Sequence, residues 1–246
     1  MKSRILILAL TFLLLNSGCV IRETVISPES NQRIHGSGYL IKEIRELPEF
    51  NSVSITTCGK VHVTQGDEQL FSVIADDNVL EYIITTVQNG KLVIGTKRGI
   101  SISNLSLTVN ATLTNVEELS TSSSGDIVGK NRFVADYMRL ITSSSGDISL
   151  DLETEKLLSV ISSSGDIYLR GKATQHDATL SSSGDLYAFN LATETTNISV
   201  SSSGDAEIYV SNILNVTLSS SGSLFYKGQP TIHQNISSSG RLINSH

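Results

Sequence analysis

The tetrapeptide Ser-Ser-Ser-Gly occurs seven times in the second half of this 246-residue chain, with its glycine at Gly125, Gly146, Gly165, Gly184, Gly204, Gly222 and Gly240. The steps between these glycines are 21, 19, 19, 20, 18 and 18 residues. Self-similarity at such a period marks a repeat architecture, in which a unit buries its apolar face only against its neighbours. Four residues before each glycine stand Thr121, Thr142, Ile161, Leu180, Val200, Leu218 and Ile236, and two after it Ile127, Ile148, Ile167, Leu186, Ala206, Leu224 and Leu242. Polar residues alternate with them, and a period of two is that of a β-strand with one buried face. A unit of about 19 residues is too short for a helix pair. One strand-turn-strand coil per repeat, stacked on the next at ~4.8 Å, buries these positions as aliphatic columns. Hairpin sandwiches also contain short strands at regular spacing, but they have no reason to repeat one sequence at every coil. The expectation is an all-β fold, a right-handed parallel β-helix (a single-stranded solenoid) with about 19-residue coils. The low aromatic content, 5% with no Trp, agrees with a core built from aliphatic columns.

Glycine after three small residues suits a tight corner where backbone segments approach closely. The first five copies continue with Asp126, Asp147, Asp166, Asp185 and Asp205, and the last two with Ser223 and Arg241. An Asp there can hold the turn by bonding nearby backbone groups. Counting by two from the apolar position points the middle serines inward, from Ser123 to Ser238, with their hydroxyls bonded from coil to coil.

The N-terminus carries an address. Lys2 and Arg4 precede an apolar stretch from Ile5 to Leu15, broken only by Thr11, the length of a signal-peptide core and too short to span a bilayer as a helix. Asn16-Ser17-Gly18-Cys19 follows and resembles a bacterial lipobox, with Asn16 where an aliphatic residue is usual. The expectation is a signal peptide over 1–18, acylation of Cys19, and a polar tether over 19–36. By resemblance to the sorting rule of double-membraned bacteria, Val20 in place of Asp directs such a lipoprotein to the outer membrane. Cys58 is the other cysteine, so lipidation of Cys19 leaves no disulfide. Removing Lys2 and Arg4 with the leader leaves 16 basic against 24 acidic residues, a charge of about −8. That balance argues against nucleic acid and against an electrostatic hold on anionic lipid, so attachment to the membrane falls to the acyl chains.

The solenoid is expected over 37–246, with irregular coils in 37–115 and Ser-Ser-Ser-Gly coils in 116–246. In the irregular part, alternating stretches end at Cys58-Gly59, Gln65-Gly66-Asp67 and Asp76-Asp77-Asn78, and Asn89-Gly90 marks a turn. Residues 79–84 fit either a strand or one helical turn. The segments FNSVSITTCGKVHVTQGD (50–67) and IADDNVLEYIITTVQNGKLVI (74–94), followed by the Ser-Gly coils, resemble the family described as putative auto-transporter adhesin, head GIN domain. The resemblance covers about residues 37–245. It implies an exported or lipid-anchored β-helix, and it brings no catalytic or ligand residues with it. The chain departs from the family pattern in the uniformity of its Ser-Ser-Ser-Gly corners, and in Cys58, which occupies a turn.

Two constellations carry the candidate chemistry. Asp126, Asp147, Asp166, Asp185 and Asp205 would line one edge about 5 Å apart. Five hydrated turn aspartates are the ordinary account; calcium bridging the column is the functional one. Tyr168, Tyr187 and Tyr209 are expected to follow one another up the stack on the outer surface. With the surrounding Ser, Thr and Asn they suit many weak contacts to a glycan or an envelope protein. A polysaccharide-acting enzyme would need one irregular charged cluster; here the carboxylates repeat identically, and Arg132, Arg139 and Arg170 stand at no fixed place between repeats. The reading is a non-catalytic, adhesin-like binding module, with a pure envelope scaffold as the alternative.

Overall fold

The computed structural model describes residues 32–246 except 202, 220 and 238. The stretch expected as a signal peptide, Cys19 and most of the expected tether lie outside the described residues. The chain is a β-solenoid of about seven turns with roughly 19-residue coils. Its long strands, Gly125–Thr142, Ile148–Ile161, Ile167–Leu180, Leu186–Val200 and Ala206–Leu218, each pair in parallel with the next. Equivalent residues stack: Ile127, Ile148, Ile167, Leu186, Ala206 and Leu224 form one fully buried column.

The glycines are required by how closely the corners approach. A Cβ on Gly146, Gly165, Gly184 or Gly204 would lie 2.1–2.3 Å from the carbonyl oxygen of the glycine one coil earlier. The column begins one coil before the first Ser-Ser-Ser-Gly, because Gly125 is in register with Gly59. Thr56-Thr57-Cys58-Gly59 is thus an earlier corner of the same type, which accounts for Cys58: it is exposed, as Ser124, Ser145, Ser164 and Ser183 are.

The hydroxyls are placed differently from the sequence reading. The middle serines Ser123, Ser144, Ser163 and Ser182 are half-buried, and the fully buried corner position is the glycine. It is the first serine that bonds across coils: Ser143, Ser162, Ser181 and Ser201 Oγ donate to the carbonyls of Thr121, Thr142, Ile161 and Leu180. The buried hydroxyls of Thr121 and Thr142 donate to Gly146 and Gly165 carbonyls, at 3.1 and 3.2 Å. Each thereby satisfies a group that would otherwise destabilise the core.

The first-coil end is not purely parallel, as the repeat alone implied. Leu40–Ile44 runs antiparallel to Leu70–Asp76, which runs antiparallel to Leu107–Leu113, and Ile83–Gln88 forms a hairpin with Lys91–Thr96. These pairs close the end of the stack, where open parallel edges would otherwise template further pairing. Residues Leu80–Tyr82 form a short 3-10 turn. Arg45 joins the two walls of the cap, donating to the carbonyls of Ile83 and Leu80 and to Thr85 Oγ1. Buried Asp76 accepts the amides of Gly38 and Ser106, and the Ser106 bond is the main reason its pKa lies below the ordinary carboxylate value. Within the stretch expected as tether, Gln32–His35 is a strand parallel to Ile100–Ser103.

Besides Asp76, one described core residue is titratable. His176 is fully buried in register between Leu157 and Thr196. Its Nε2 bonds Ser159 Oγ at 2.9 Å, and its Nδ1 has no partner among the described residues. Burial lowers its pKa from 6.5 to about 4. In the unfolded chain the imidazole takes its proton near pH 6.5, so stability is complete above that pH and declines as pH falls toward 4. The full loss across that window is on the order of 3 kcal/mol. Urea midpoints measured from pH 7 to pH 4.5 should fall accordingly. In His176→Leu/Ser159→Ala, which matches the neighbouring leucines, that decline should vanish; an unchanged pH slope would show that other groups produce it.

Candidate functional site

The corner aspartates form the expected column, and the structure shows how each is used. Asp126 Oδ1 accepts the backbone amide of Asp147, Asp147 that of Asp166, Asp166 that of Asp185, and Asp185 that of Asp205, over 2.7–3.2 Å. Asp205 in turn accepts the amide of Ser223 at 2.6 Å. The ladder stops where the aspartates stop: the next amide, that of Arg241, goes to the Gly222 carbonyl at 3.4 Å. Each carboxylate therefore satisfies the corner amide of the following coil, a charge-assisted bond stronger than a neutral one. Lys60 lies in register before Asp126, and Arg241 in register after Ser223. Cations at both ends offset the repulsion of like charges stacked one coil apart.

The outer oxygens of two aspartates are also engaged. Tyr168 Oη donates to Asp166 Oδ2 and Tyr187 Oη to Asp185 Oδ2, each at 3.1 Å. Burial, and then the Asp166 bond, push the Tyr168 phenol up to about 12; the Asp185 bond is the leading cause of the upward shift at Tyr187. Both phenols stay protonated donors. Among the described residues no group of three or more His, Cys, Asp or Glu side chains is placed to hold a metal ion. One oxygen of each carboxylate is held by an amide of the following coil.

The two tyrosines stack face to face, with ring centroids 4.8 Å apart and planes within 9°. Tyr209 does not continue the column. Tyr187 is in register with Glu207, and Tyr209 lies opposite Ala192. The reason is visible in the count from each corner. Tyr168 and Tyr187 are three residues past Gly165 and Gly184, whereas Tyr209 is five past Gly204.

Below Tyr168 the same column holds Ser149 and then Val128. Serine is too short to cover a ring, so the second face of Tyr168 is open, and a groove of about 420 Å³ lies there. Beside it runs a second column of Arg132, Asp151, Arg170 and Asn190. Arg132 Nε and Arg170 Nε bond opposite oxygens of Asp151, at 2.8 and 3.1 Å. The Arg132 bond is the largest cause of the low pKa of Asp151. The sequence reading scattered these arginines because the first step is 21 residues long. The extra residues sit between Val128 and Arg132, where the register shifts. Further shifts fall between Tyr168 and Arg170, between Ala188 and Ala192 and between Thr193 and Thr195, so three of the four irregularities lie beside this groove. Bulges of this kind re-aim side chains next to binding sites.

On the other side of the Ser-Gly corner, a shallow trough of about 530 Å³ crosses four coils, lined by residues that include Asp177, Asn197, Asn215 and His233.

The model of the family described as putative auto-transporter adhesin, head GIN domain, matches residues 49–230. The chain belongs to this family. Solved structures share its fold. A putative adhesin from Bacteroides fragilis NCTC 9343 superposes with a TM-score of 0.79 at 23% identity, covering 86% of this chain and 99% of its own. A structure from Parabacteroides distasonis ATCC 8503, named a putative lipid binding protein, gives 0.73 at 21% identity, covering 87% of this chain and all of its own. A putative adhesin from Parabacteroides merdae ATCC 43184 gives 0.71 at 20% identity with the same two coverages. No curated protein matches the sequence.

The amide ladder has a consequence for cations. If amides alone hold the column, millimolar calcium should change the melting temperature no more than matched magnesium does. A calcium-specific rise would, by linkage, assign the outer carboxylate oxygens to bound calcium.

Proposed function

We propose that this member of the adhesin-like family is an envelope lipoprotein, anchored through acylated Cys19 in the outer membrane, that works as a non-catalytic binding module for glycans. The observation that carries the reading is the uncovered face of Tyr168 over Ser149, flanked by the Arg132–Asp151–Arg170 pairings. An aromatic face packs against the C–H side of a sugar ring, while an ordered line of guanidinium and carboxylate groups suits its hydroxyls. The stacked Tyr187 and the two phenol bonds to Asp166 and Asp185 fix the ring of Tyr168 before a ligand arrives, which lowers the entropy lost on binding.

The electrostatics favour holding over turnover. Glycoside hydrolysis needs one carboxyl that stays protonated near neutral pH to act as an acid. Asp151, the carboxylate of this groove, is shifted the other way by Arg132 and Arg170. The family name and the adhesin names of the related structures agree with attachment as the role.

The test is a glycan array probed with residues 20–246, followed by titration of the retained glycans. Tyr168→Ser/Tyr187→Ser should weaken binding by about tenfold or more, equivalent to about 1.4 kcal/mol or more. Tyr209→Ser, outside the column, should bind as the parent does. No retained glycan, together with an envelope defect on deletion, would favour a scaffold, and release of sugar from a polysaccharide would make the protein an enzyme.

A further inference from the structure

The wall carrying the trough is built differently from the wall carrying Tyr168. Asp177, Asn197, Asn215 and His233 stand in register on four successive coils. Their side chains form one directional chain of hydrogen bonds. His233 Nδ1 lies 2.9 Å from Asn215 Oδ1, which can only accept, so the imidazole nitrogen carries the proton. Asn215 Nδ2 donates to Asn197 Oδ1 at 2.7 Å, and Asn197 Nδ2 to Asp177 Oδ1 at 2.6 Å. Gln175 Nε2 reaches both oxygens of Asp177, and Lys156 Nζ lies 3.3 Å from Oδ2. The carboxylate that ends the chain is therefore satisfied and its charge offset.

Two residues further along each strand is a parallel column of Thr179, Ser199, Thr217 and Asn235. Thr179, Thr217 and Asn235 are exposed and Ser199 half-buried. The hydroxyls of Thr179, Ser199 and Thr217 make no hydrogen bond among the described residues. The two columns are ~6.6 Å apart along the strand, and the rows repeat at ~4.8 Å. The same columns on earlier coils hold Arg139 and Leu158, and Ile141 and Val160. The amide and hydroxyl lattice is thus confined to the coils that form the trough, and general sheet stability does not demand it.

We propose that this trough binds an extended, uncharged polysaccharide lying along the solenoid axis, one sugar ring per coil. Each amide in the chain keeps one unused N–H, and each free hydroxyl both donates and accepts, as sugar hydroxyls do. The coil repeat is close to the length that one pyranose adds to an extended polysaccharide, so successive rings meet successive rows in the same way. An extended peptide, with side chains alternating at a longer repeat, falls out of step with the rows. A polyanion meets the net negative charge of the chain, −6 overall, with no free cation in the two columns to receive it. The hydrogen-bonded chain holds its side chains in place before binding, so little rotamer freedom is lost.

The trough rests on the same reading of the solenoid as a glycan-binding module, but it is a separate site from the Tyr168 groove, and the variants separate the two. The probes are cello-, chito-, malto- and manno-oligosaccharides of two to six rings, titrated calorimetrically into residues 20–246. At least one series should bind, with affinity rising about threefold per ring, the effect of one modest net hydrogen bond, up to four rings and then levelling. Asn197→Leu/Asn215→Leu should lower the affinity for the four-ring ligand at least tenfold, and Thr179→Val/Ser199→Val/Thr217→Val should do the same. Leu158 and Val160 already occupy these columns one coil before Asp177 and Thr179, so both variants should keep the parent's circular dichroism and melting curve. Tyr168→Ser/Tyr187→Ser should leave this binding unchanged. Absence of binding by all four series, affinity independent of length, or full binding by both trough variants would overturn the proposal. Loss of binding only in the tyrosine variant would return the ligand to the Tyr168 groove, and binding of a peptide in place of the sugars would also refute it.

Discussion

The solenoid depends on how it turns its corner. Successive chains approach so closely at Gly146, Gly165, Gly184 and Gly204 that no side chain fits between them. At the next residue the corner amide takes its acceptor from the carboxylate one coil back. These two demands explain why the corner, of all parts of the coil, repeats almost letter for letter. The strands need only alternation, and they tolerate Ile, Leu, Val and Ala at the same buried position. The corner needs glycine for space and an acceptor at a fixed place. Where the acceptor is missing, after Ser223, the regular ladder ends and the last coil is more exposed.

The parts of the fold that follow from this corner were legible in the sequence: the solenoid, the coil length, the aliphatic columns and the existence of the aspartate column. What the sequence hid followed from breaks in register. Tyr209 looks like a continuation of Tyr168 and Tyr187 in the sequence, but its distance from Gly204 differs from that of the other tyrosines to their own glycines. The extra residues between Val128 and Arg132 concealed that Arg132, Asp151 and Arg170 share a column. The corner at Thr56-Thr57-Cys58-Gly59 is hidden in the sequence because only its glycine matches the later copies. Aligning Gly59 with Gly125 reveals it, and explains an exposed cysteine in a turn. The antiparallel cap carries no repeat at all, and its pairing depends on long-range contacts such as Arg45 with Leu80 and Ile83. Strict alternation points the middle serines inward, but the close packing at the glycine leaves them half-buried.

The candidate binding features follow the same division. A perfectly regular stack presents identical strips and no distinctive place. Tyr168 is bare on one face because its column changes from Ser149 to tyrosine within one coil, beside three register shifts. The trough begins where the outer columns change from Leu158 and Val160 to polar residues. In both places the rigid repeat supplies position, and the departure from repetition supplies chemistry. The two sites sit on either side of the same glycine corner, so the stiffness of that corner underlies the geometry of both.

Native-state amide hydrogen exchange tests the corner directly. The amides of Asp147, Asp166, Asp185, Asp205 and Ser223 should be protected about as strongly as those of the buried strand residues beside them, and the Arg241 amide should exchange faster. In Asp166→Ala the Asp185 amide should lose protection while the amides of Asp147 and Ser223 keep theirs. If the Asp185 amide exchanges in that variant as slowly as in the parent, the carboxylate is not its acceptor, and the account of what holds the coils together is wrong.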